Sequence, residues 1–492
     1  MQNYGVFVKN RPMVFTTEVT VTGDKALALM AHLMRRAGFG ASKREIEARA
    51  LKGYETTVEE LVDPSSHGIP GLHEGIFYRH YTGIANPGNP LNMRGNFLYR
   101  MINSPRPLEE KTTLFWHQVF ATGYSKVDDG NELLNQIDMF RKFGMGSYRE
   151  LLVKLAKNPA MIFWLDNNEN HKHAPNENWG RELLELFTMG QGHYSEEDVK
   201  ECSRAFTGWT IGRKLPKNPY GRFLWEFDYR AEDHDEGEKQ FLGHTGNFNG
   251  EDIIDIIVEQ PATSRFLARH LYNFFVEDEV QVPSWLDVPP MNPEAIDAIA
   301  NTLVENQFDV RSTLRFIFNS DFFKDEKVWF KRVKSPAELI VGTLKVVEDY
   351  HFPKPGLSEI AEECGFQGQA LLDPPSVEGW HTGKEWIDSG ALLRRINFVA
   401  DRLSDKDLPG VRLMVEELCK KGDMSSKELL NECLDRMGIL RLERETFDEL
   451  IQHMNKSGTE NLDKTTQGEV ARTDLITDVM RLIAATREYQ FA

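Results

Sequence analysis

The stretch Pro175-Asn176-Glu177-Asn178-Trp179-Gly180-Arg181-Glu182-Leu183-Leu184-Glu185-Leu186-Phe187-Thr188-Met189-Gly190 leaves this chain the least freedom. It reads as a helix with defined ends. Asn176 suits the N-cap, and Glu177 places a negative charge in the first turn, where the helix dipole favours it. Gly190 and Gly192 can leave the helix through a left-handed conformation. At helical spacing Trp179, Leu183, Leu186 and Phe187 fall on one arc, and such a stripe has to be buried against other elements. Glu177, Asn178, Arg181, Glu182 and Glu185 crowd the opposite arc, where carboxylates surround a single guanidinium. Arg181 has Glu177 at i−4 and Glu185 at i+4, the spacing of helix-stabilising ion pairs. Either that face is a structural salt-bridge network, or Arg181 neutralises one carboxylate and leaves Glu182 or Glu185 free for acid–base work or metal binding.

The rest of the chain supplies helices to cover the stripe. Lys25–Ala37 ends at Gly38-Phe39-Gly40, and Ser42-Lys43-Arg44-Glu45 and Ser147-Tyr148-Arg149-Glu150 carry capping-box spacing. Residues 64–95, rich in Gly, Pro and His, read as a long loop. Pro107–Thr122 is apolar almost all round, which predicts a deeply buried helix. A helix after Ser195 carries Val199, Cys202, Phe206 and Trp209 at helical spacing. Then the period changes: Phe223, Trp225, Phe227 and Tyr229 alternate with Arg222, Glu226, Asp228 and Arg230, which is strand spacing. With the short apolar run Phe241-Leu242 this predicts one β-hairpin over about 222–243. Val14 to Val21 could be a short strand. The expected fold is mainly α, a multi-helix globular architecture with that one inserted hairpin. With 492 residues the chain exceeds what one core usually holds. The expected division is a tail (1–24), a helical core domain (25–280), a proline-marked joint, a second helical subdomain (291–400) and a C-terminal helical segment (401–492).

Composition excludes some classes. A formal net charge of −18 disfavours nucleic acid and anionic membranes, both of which need clustered Lys and Arg. No apolar run approaches the ~20 residues of a transmembrane helix. Met1 to Val21 lacks the pattern of a signal peptide, and Cys202, Cys364, Cys419 and Cys433 form no close pair, so a reduced, cytoplasmic protein is expected. The chain has no P-loop, no G-x-G-x-x-G between strand and helix, no G-x-S-x-G elbow and no H-E-x-x-H.

Several segments carry a family likeness: His32-Leu33-Met34-Arg35-Arg36-Ala37-Gly38-Phe39-Gly40, Phe115-Trp116-His117, the Pro175–Gly190 stretch, Arg204-Ala205-Phe206-Thr207-Gly208-Trp209 and His234-Asp235 before Phe241-Leu242-Gly243. Thr245-Gly246-Asn247-Phe248, Lys334-Ser335-Pro336 and Pro374-Pro375-Ser376-Val377-Glu378-Gly379-Trp380 continue it. Over about residues 25–400 the chain resembles the bacterial domain of unknown function 1800 family. The resemblance implies no particular activity or cofactor. Many members look exported, and their genes often neighbour a second uncharacterised family resembling sulfatases and phosphatases, which implies a protein partner encoded nearby. This chain departs in lacking a signal peptide and in having Val119 where members often have a second His.

The candidate catalytic residues are His117, Glu182, Glu185, His234 and Asp235. His117 is the polar residue of an apolar helix and needs a partner if buried, whether as a metal ligand, as a general base or as a core histidine hydrogen-bonded to backbone. His234-Asp235 sits in the expected hairpin turn, where it can offer a nitrogen and an oxygen to a metal or simply form the turn. His171 and His173 read as solvated. His32, Arg35 and Arg36 form a basic helix edge that could pack against the Glu177/Glu185 face, which gives His32, Arg35, Glu177, Asn178 and Arg181 as the candidate structural or binding network. Two functions compete: an accessory module whose charged network fixes a surface for a partner protein, and a metal-dependent or acid–base hydrolase using the five candidates. A third is carbohydrate binding through Trp116, Trp179, Trp209 and Trp380.

Overall fold

The computed structural model describes residues 23–85, 88–214, 224–422, 424–456 and 466–492. Helices dominate it, and the expected mainly α class holds. Their starts follow local chemistry. Reciprocal capping boxes join Ser195 to Asp198, Asn249 to Asp252, Ser335 to Glu338 and Ser425 to Glu428. Each satisfies backbone donors that the first helical turn leaves unpaired.

Residues 64–95 are not one loop. They hold a helix at Gly75–His80 and the start of a long one, Pro90–Asn103. The Asn89 side chain accepts from Leu91 N at 2.9 Å, and Pro90 takes the first helical position. Asn-Pro here starts a helix instead of breaking one.

The β structure also differs from a single 222–243 hairpin. Strand β1 (Trp209–Lys214) pairs antiparallel with β2 (Leu224–Tyr229), so that Ile211 faces Phe227 and Trp209 faces Tyr229. A second pair, β3 (Lys239–Phe241) and β4 (His244–Gly246), is separate. The preceding helix is Glu196–Ala205, and Trp209 belongs to β1 rather than to it. The alternation from Trp225 to Tyr229 did mark a strand, but its partner lies upstream. Phe223, Arg222 and the Val14–Val21 segment lie outside the described residues.

Buried side chains form one large cluster running from Ala28 to Leu372 and joined by Ile439. A second cluster gathers Leu339, Val347, Val399 and the helices up to Tyr489. The Pro107–Val119 helix runs through the large cluster, with Leu108, Leu114, Trp116 and His117 all fully buried. Trp116, Trp179, Trp209 and Trp380 are buried too, at 5% exposure or less. None of the four is available to line a sugar groove, and carbohydrate binding through them is excluded by their packing. Cys202, Cys364, Cys419 and Cys433 are unpaired. Among the described residues no helix is long and apolar enough to cross a membrane.

Candidate functional site

The Pro175–Gly190 stretch begins as an α-helix (Asn178–Glu182) and continues as a π-helical turn (Leu183–Thr188). The N-cap residue is Glu177, one later than expected. The Asn176 side chain nevertheless accepts from Asn178 N at 3.0 Å. Met189 N and Gly190 N both reach back to Leu184 O, and Thr188 Oγ1 donates to Leu183 O. The wider turn redistributes the expected stripe. Trp179, Leu183 and Phe187 are buried as the helical period predicts, Leu184 joins them, and Leu186 is half-buried, packed against the core at the edge of an open cleft. Gly190, at φ +77°, closes the segment where a Cβ would come within 2.9 Å of the Phe266 ring.

The cleft that Leu186 borders has a volume of about 1110 Å³. One wall carries Glu182, Glu185, Gln191 and His193, with Glu378 arriving from the loop after Pro375. The other wall is mostly apolar and aromatic, with Phe266, Val282, Trp285, Leu286 and the prolines 283, 290 and 293, and its charged members are Arg269 and the Arg265–Asp297 pair at 3.0 Å. A buried ion pair holds that wall in place. Arg269 donates to Glu279 Oε2 at 2.7 and 3.1 Å and to the carbonyls of Trp285 and Val288, and its guanidinium lies 4.7 Å from the Trp285 ring centre. Glu279 also accepts from Met291 N at 2.8 Å. The Gln281–Met291 segment, expected to be a joint, is thus pinned over the Pro261–Phe275 helix.

The carboxylates on the polar wall differ in their partners. Glu185 accepts from Tyr194 Oη at 2.9 Å and from Gln191 Nε2 at 2.5 Å. Burial first, then Glu185, raises the Tyr194 phenol. Glu182 makes no hydrogen bond or ion pair to a described residue. Burial first, then the charges of Glu185 and Glu378, push its pKa up to about 7 against the opposing pull of Arg181. Glu378 lies 3.7 Å from His381 Nε2, and His381 Nδ1 lies 2.9 Å from Glu385.

Arg181 does not pair with Glu185. It binds Glu196 at 2.7 and 2.9 Å and Glu177 at 3.2 Å, and its side chain is 34% exposed. Asn178 donates to Asp166 at 3.2 Å. His32 and Arg35 have other partners altogether. His32 is fully buried against Phe323 and Trp329, its pKa held low by burial and then by Arg35 and Arg36. Arg35 donates to Gly438 O at 3.2 Å and sits 4.5 Å from the Phe330 ring centre. The expected five-residue network is therefore two separate groups.

The five catalytic candidates also separate. Glu182 and Glu185 line the cleft, whereas His117, His234 and Asp235 do not. His117 is fully buried, and burial lowers its pKa to about 3. Its Nε2 accepts from Leu372 N at 2.9 Å, and its ring meets Trp380 edge-on at 5.1 Å. Gly379, at φ +86°, lies where a Cβ would come within 2.6 Å of Gln118 O. His117 thereby ties the Pro107–Val119 helix to the 372–380 segment that carries Glu378. His234 Nδ1 contacts Thr207 O at 2.9 Å, while Asp235 binds Arg204 at 2.7 and 3.2 Å and accepts from Gly237 N at 2.8 Å. This pair clamps the turn into β1.

The sequence reading missed Glu378, Phe266 and Trp285 at the cleft, since nothing local ties them to residue 182. It also missed a buried charged cluster on the other side of the core. Glu338 accepts from Lys111, from Arg332 at 2.5 Å and from Ser335 N at 2.7 Å, with all three charged side chains at 3% exposure or less. Burial works against its charge, but Arg332, Lys111 and Arg36 outweigh burial and hold its pKa below the carboxylate range. Lys111, desolvated more than it is compensated, falls to about 7.

Among the described residues no group of three His, Cys, Asp or Glu is spaced to hold a metal ion. The model of the family described as Protein of unknown function (DUF1800) matches residues 32–491. No curated protein and no solved structure matches the chain.

Proposed function

Because the chain belongs to the DUF1800 family, whose description names no activity, we propose a function from its own residues: a binding module whose cleft takes a basic, apolar-flanked segment of a partner protein. The carrying observation is the opposition of two walls. Glu182, Glu185 and Glu378 face a cationic group on one side, and Phe266, Trp285 and Leu286 face an apolar body on the other. A cation placed among these carboxylates offsets the burial and, after it, the like charges of Glu185 and Glu378 that raise the Glu182 pKa. The leucine at 286 is 59% exposed and Met291 is 63% exposed, extending the apolar wall outward. Such a rim is typical of a site awaiting an occupant. The four unpaired thiols suit a reducing compartment.

Calorimetry with the dipeptide amide acetyl-Phe-Arg-NH2 tests this, with citrulline in place of arginine as the neutral isostere. The citrulline peptide should bind at least ~10-fold more weakly, as should the arginine peptide to a Glu182→Gln/Glu185→Gln variant, since each loses a charge-assisted contact. Equal affinities in all three measurements would refute the reading.

A second reading, acid–base hydrolysis, is favoured by one observation. Glu182 holds its proton up to about pH 7 while sitting beside Glu185 in an open cleft. Paired carboxylates pushed apart in protonation state can divide the roles of acid and base. Glu182 would protonate the leaving group, and Glu185 would take the proton of the attacking water. A bound ligand converted by wild type but bound unchanged by Glu182→Gln would support this reading over simple binding.

A further inference from the structure

Away from the cleft, basic side chains are buried in excess. Arg35, Arg36, Lys111, Arg332 and Arg395, with the half-buried Lys334, are clustered near Glu338 and Asp278 at the meeting of the Gly23–Arg36 and Pro336–Val346 helices with the end of the chain. Glu338 is already committed to Lys111 and Arg332. Asp278 Oδ2 accepts from Val333 N at 2.8 Å and its Oδ1 lies 3.9 Å from Arg332. The remaining cations lean on carbonyl groups. Arg36 donates to Phe274 O and Phe275 O, Lys334 to Tyr489 O at 2.6 Å, and Arg395 to Lys334 O and Gln490. Carbonyls solvate a cation but cannot cancel its charge, so burying this many is costly unless a counter-ion is present.

A cavity lies among them. It has about 40 Å³ of space and is bounded by Arg35, Lys334, Glu338, Gly40, Thr343 and Tyr489, among others. Arg35 is 7% exposed and its Nε has no partner. Gly40 borders the cavity at φ +84° with no atom near its would-be Cβ, which leaves the space open. Tyr489 Oη donates to Thr343 Oγ1 at 3.2 Å, and Thr343 Oγ1 donates to Leu339 O at 2.8 Å, so both hydroxyls on the cavity wall are fixed in place. The carboxylate of Glu338 also borders the space, with its charge directed into Lys111 and Arg332.

We propose that this cavity is a buried binding site for a small inorganic anion, held by Arg35 and Lys334 and neutralising the surplus cations around it. The volume exceeds what a single water needs and suits a halide or a compact oxyanion. The low positions of Lys334, at about 7, and Arg35, at about 9, follow from burial and then from neighbouring cations, the imbalance an anion would correct. The site is independent of the acidic cleft and stands whether or not the cleft binds a partner.

The direct test is a bromide-soaked crystal of the wild-type chain, with anomalous scattering collected at the bromine edge. A peak bounded by Arg35 and Lys334 is expected. An empty or water-filled cavity at high bromide overturns the proposal. In solution, phosphate, sulfate and chloride are titrated at matched ionic strength while the melting temperature is followed. Wild type should show a saturable rise with one of them, and Arg35→Met, which keeps the aliphatic stem, should bind that anion at least ~10-fold more weakly. Lys334→Met serves as the second variant should Arg35→Met fail to fold. A non-saturating rise shared by wild type and variant is a general salt effect and refutes the site.

Discussion

Replacing Glu182 with glutamine should make the protein more stable at alkaline pH. In the folded chain Glu182 titrates at about 7, against 4.5 for the unperturbed group, with burial and then Glu185 as the largest causes. A raised folded pKa means stability present below pH 4.5 that is lost as pH rises through 7. At about 1.4 kcal/mol for each tenfold change in proton affinity, a fully buried group would lose about 3 kcal/mol. Glu182 is only half-buried and faces an open cleft, so solvent screening reduces the cost to ~1–2 kcal/mol. Glutamine keeps the shape without the charge. Urea unfolding of wild type and Glu182→Gln at pH 4.5, 6 and 8 should therefore show the variant gaining ~1–2 kcal/mol relative to wild type between the first and last. Glu378→Gln should recover part of that gain by removing one of the charges acting on Glu182. A difference that stays constant with pH, or a variant less stable at pH 8, would refute the assignment of Glu182 as the strained carboxylate of the cleft.

Other outcomes follow from the same structure. Arg181→Leu should cost less than ~1 kcal/mol in urea unfolding, because its pairs with Glu177 and Glu196 are exposed to solvent; a loss of several kcal/mol would mean a buried network. Lys111→Met should cost ~3–5 kcal/mol by leaving Glu338 short of a partner in a dry core, and a loss below ~1 kcal/mol would contradict that. His117 stays neutral to about pH 3, so its contribution is present above pH 6.5 and declines as pH falls through the acid range. His117→Leu should accordingly show a shallower loss of stability on acidification, and an unchanged slope would count against it. Gly180→Ala should destabilise by ~1–3 kcal/mol, since a methyl there collides with Ser203 Oγ and approaches Val199 O at 3.1 Å; calorimetric melting checks it.

Legibility in the sequence followed the range of the interaction. Helices stood out wherever a capping residue and an apolar stripe coincided, as at Ser147 and Ser195. The Trp225–Tyr229 strand was visible from alternation, but its partner was not, because pairing with Trp209–Lys214 is a tertiary choice. Leu186 packs against the core as its spacing predicts but stays half-buried, and Leu184 is buried beside it where the backbone widens to a π-turn. The polar face of the 175–190 stretch contains Glu182 and Glu185, which line the cleft. It could not reveal that Arg181 turns to Glu196, nor that Glu378 completes the wall from nearly two hundred positions away. His117 was singled out for being polar in an apolar helix. That pattern is equally the mark of a side chain that ties two segments together, which is the role its bond to Leu372 gives it.

The cleft draws its walls from residues 182–193, 260–297 and 376–378. No fragment shorter than about residues 182–378 contains all its walls, and limited proteolysis that severs the 279–291 segment should open the cleft while leaving most helices intact. Loops of this length close late and slowly. During synthesis the cleft comes into being only after Glu378 has emerged, so its walls cannot assemble in step with the helix that starts them.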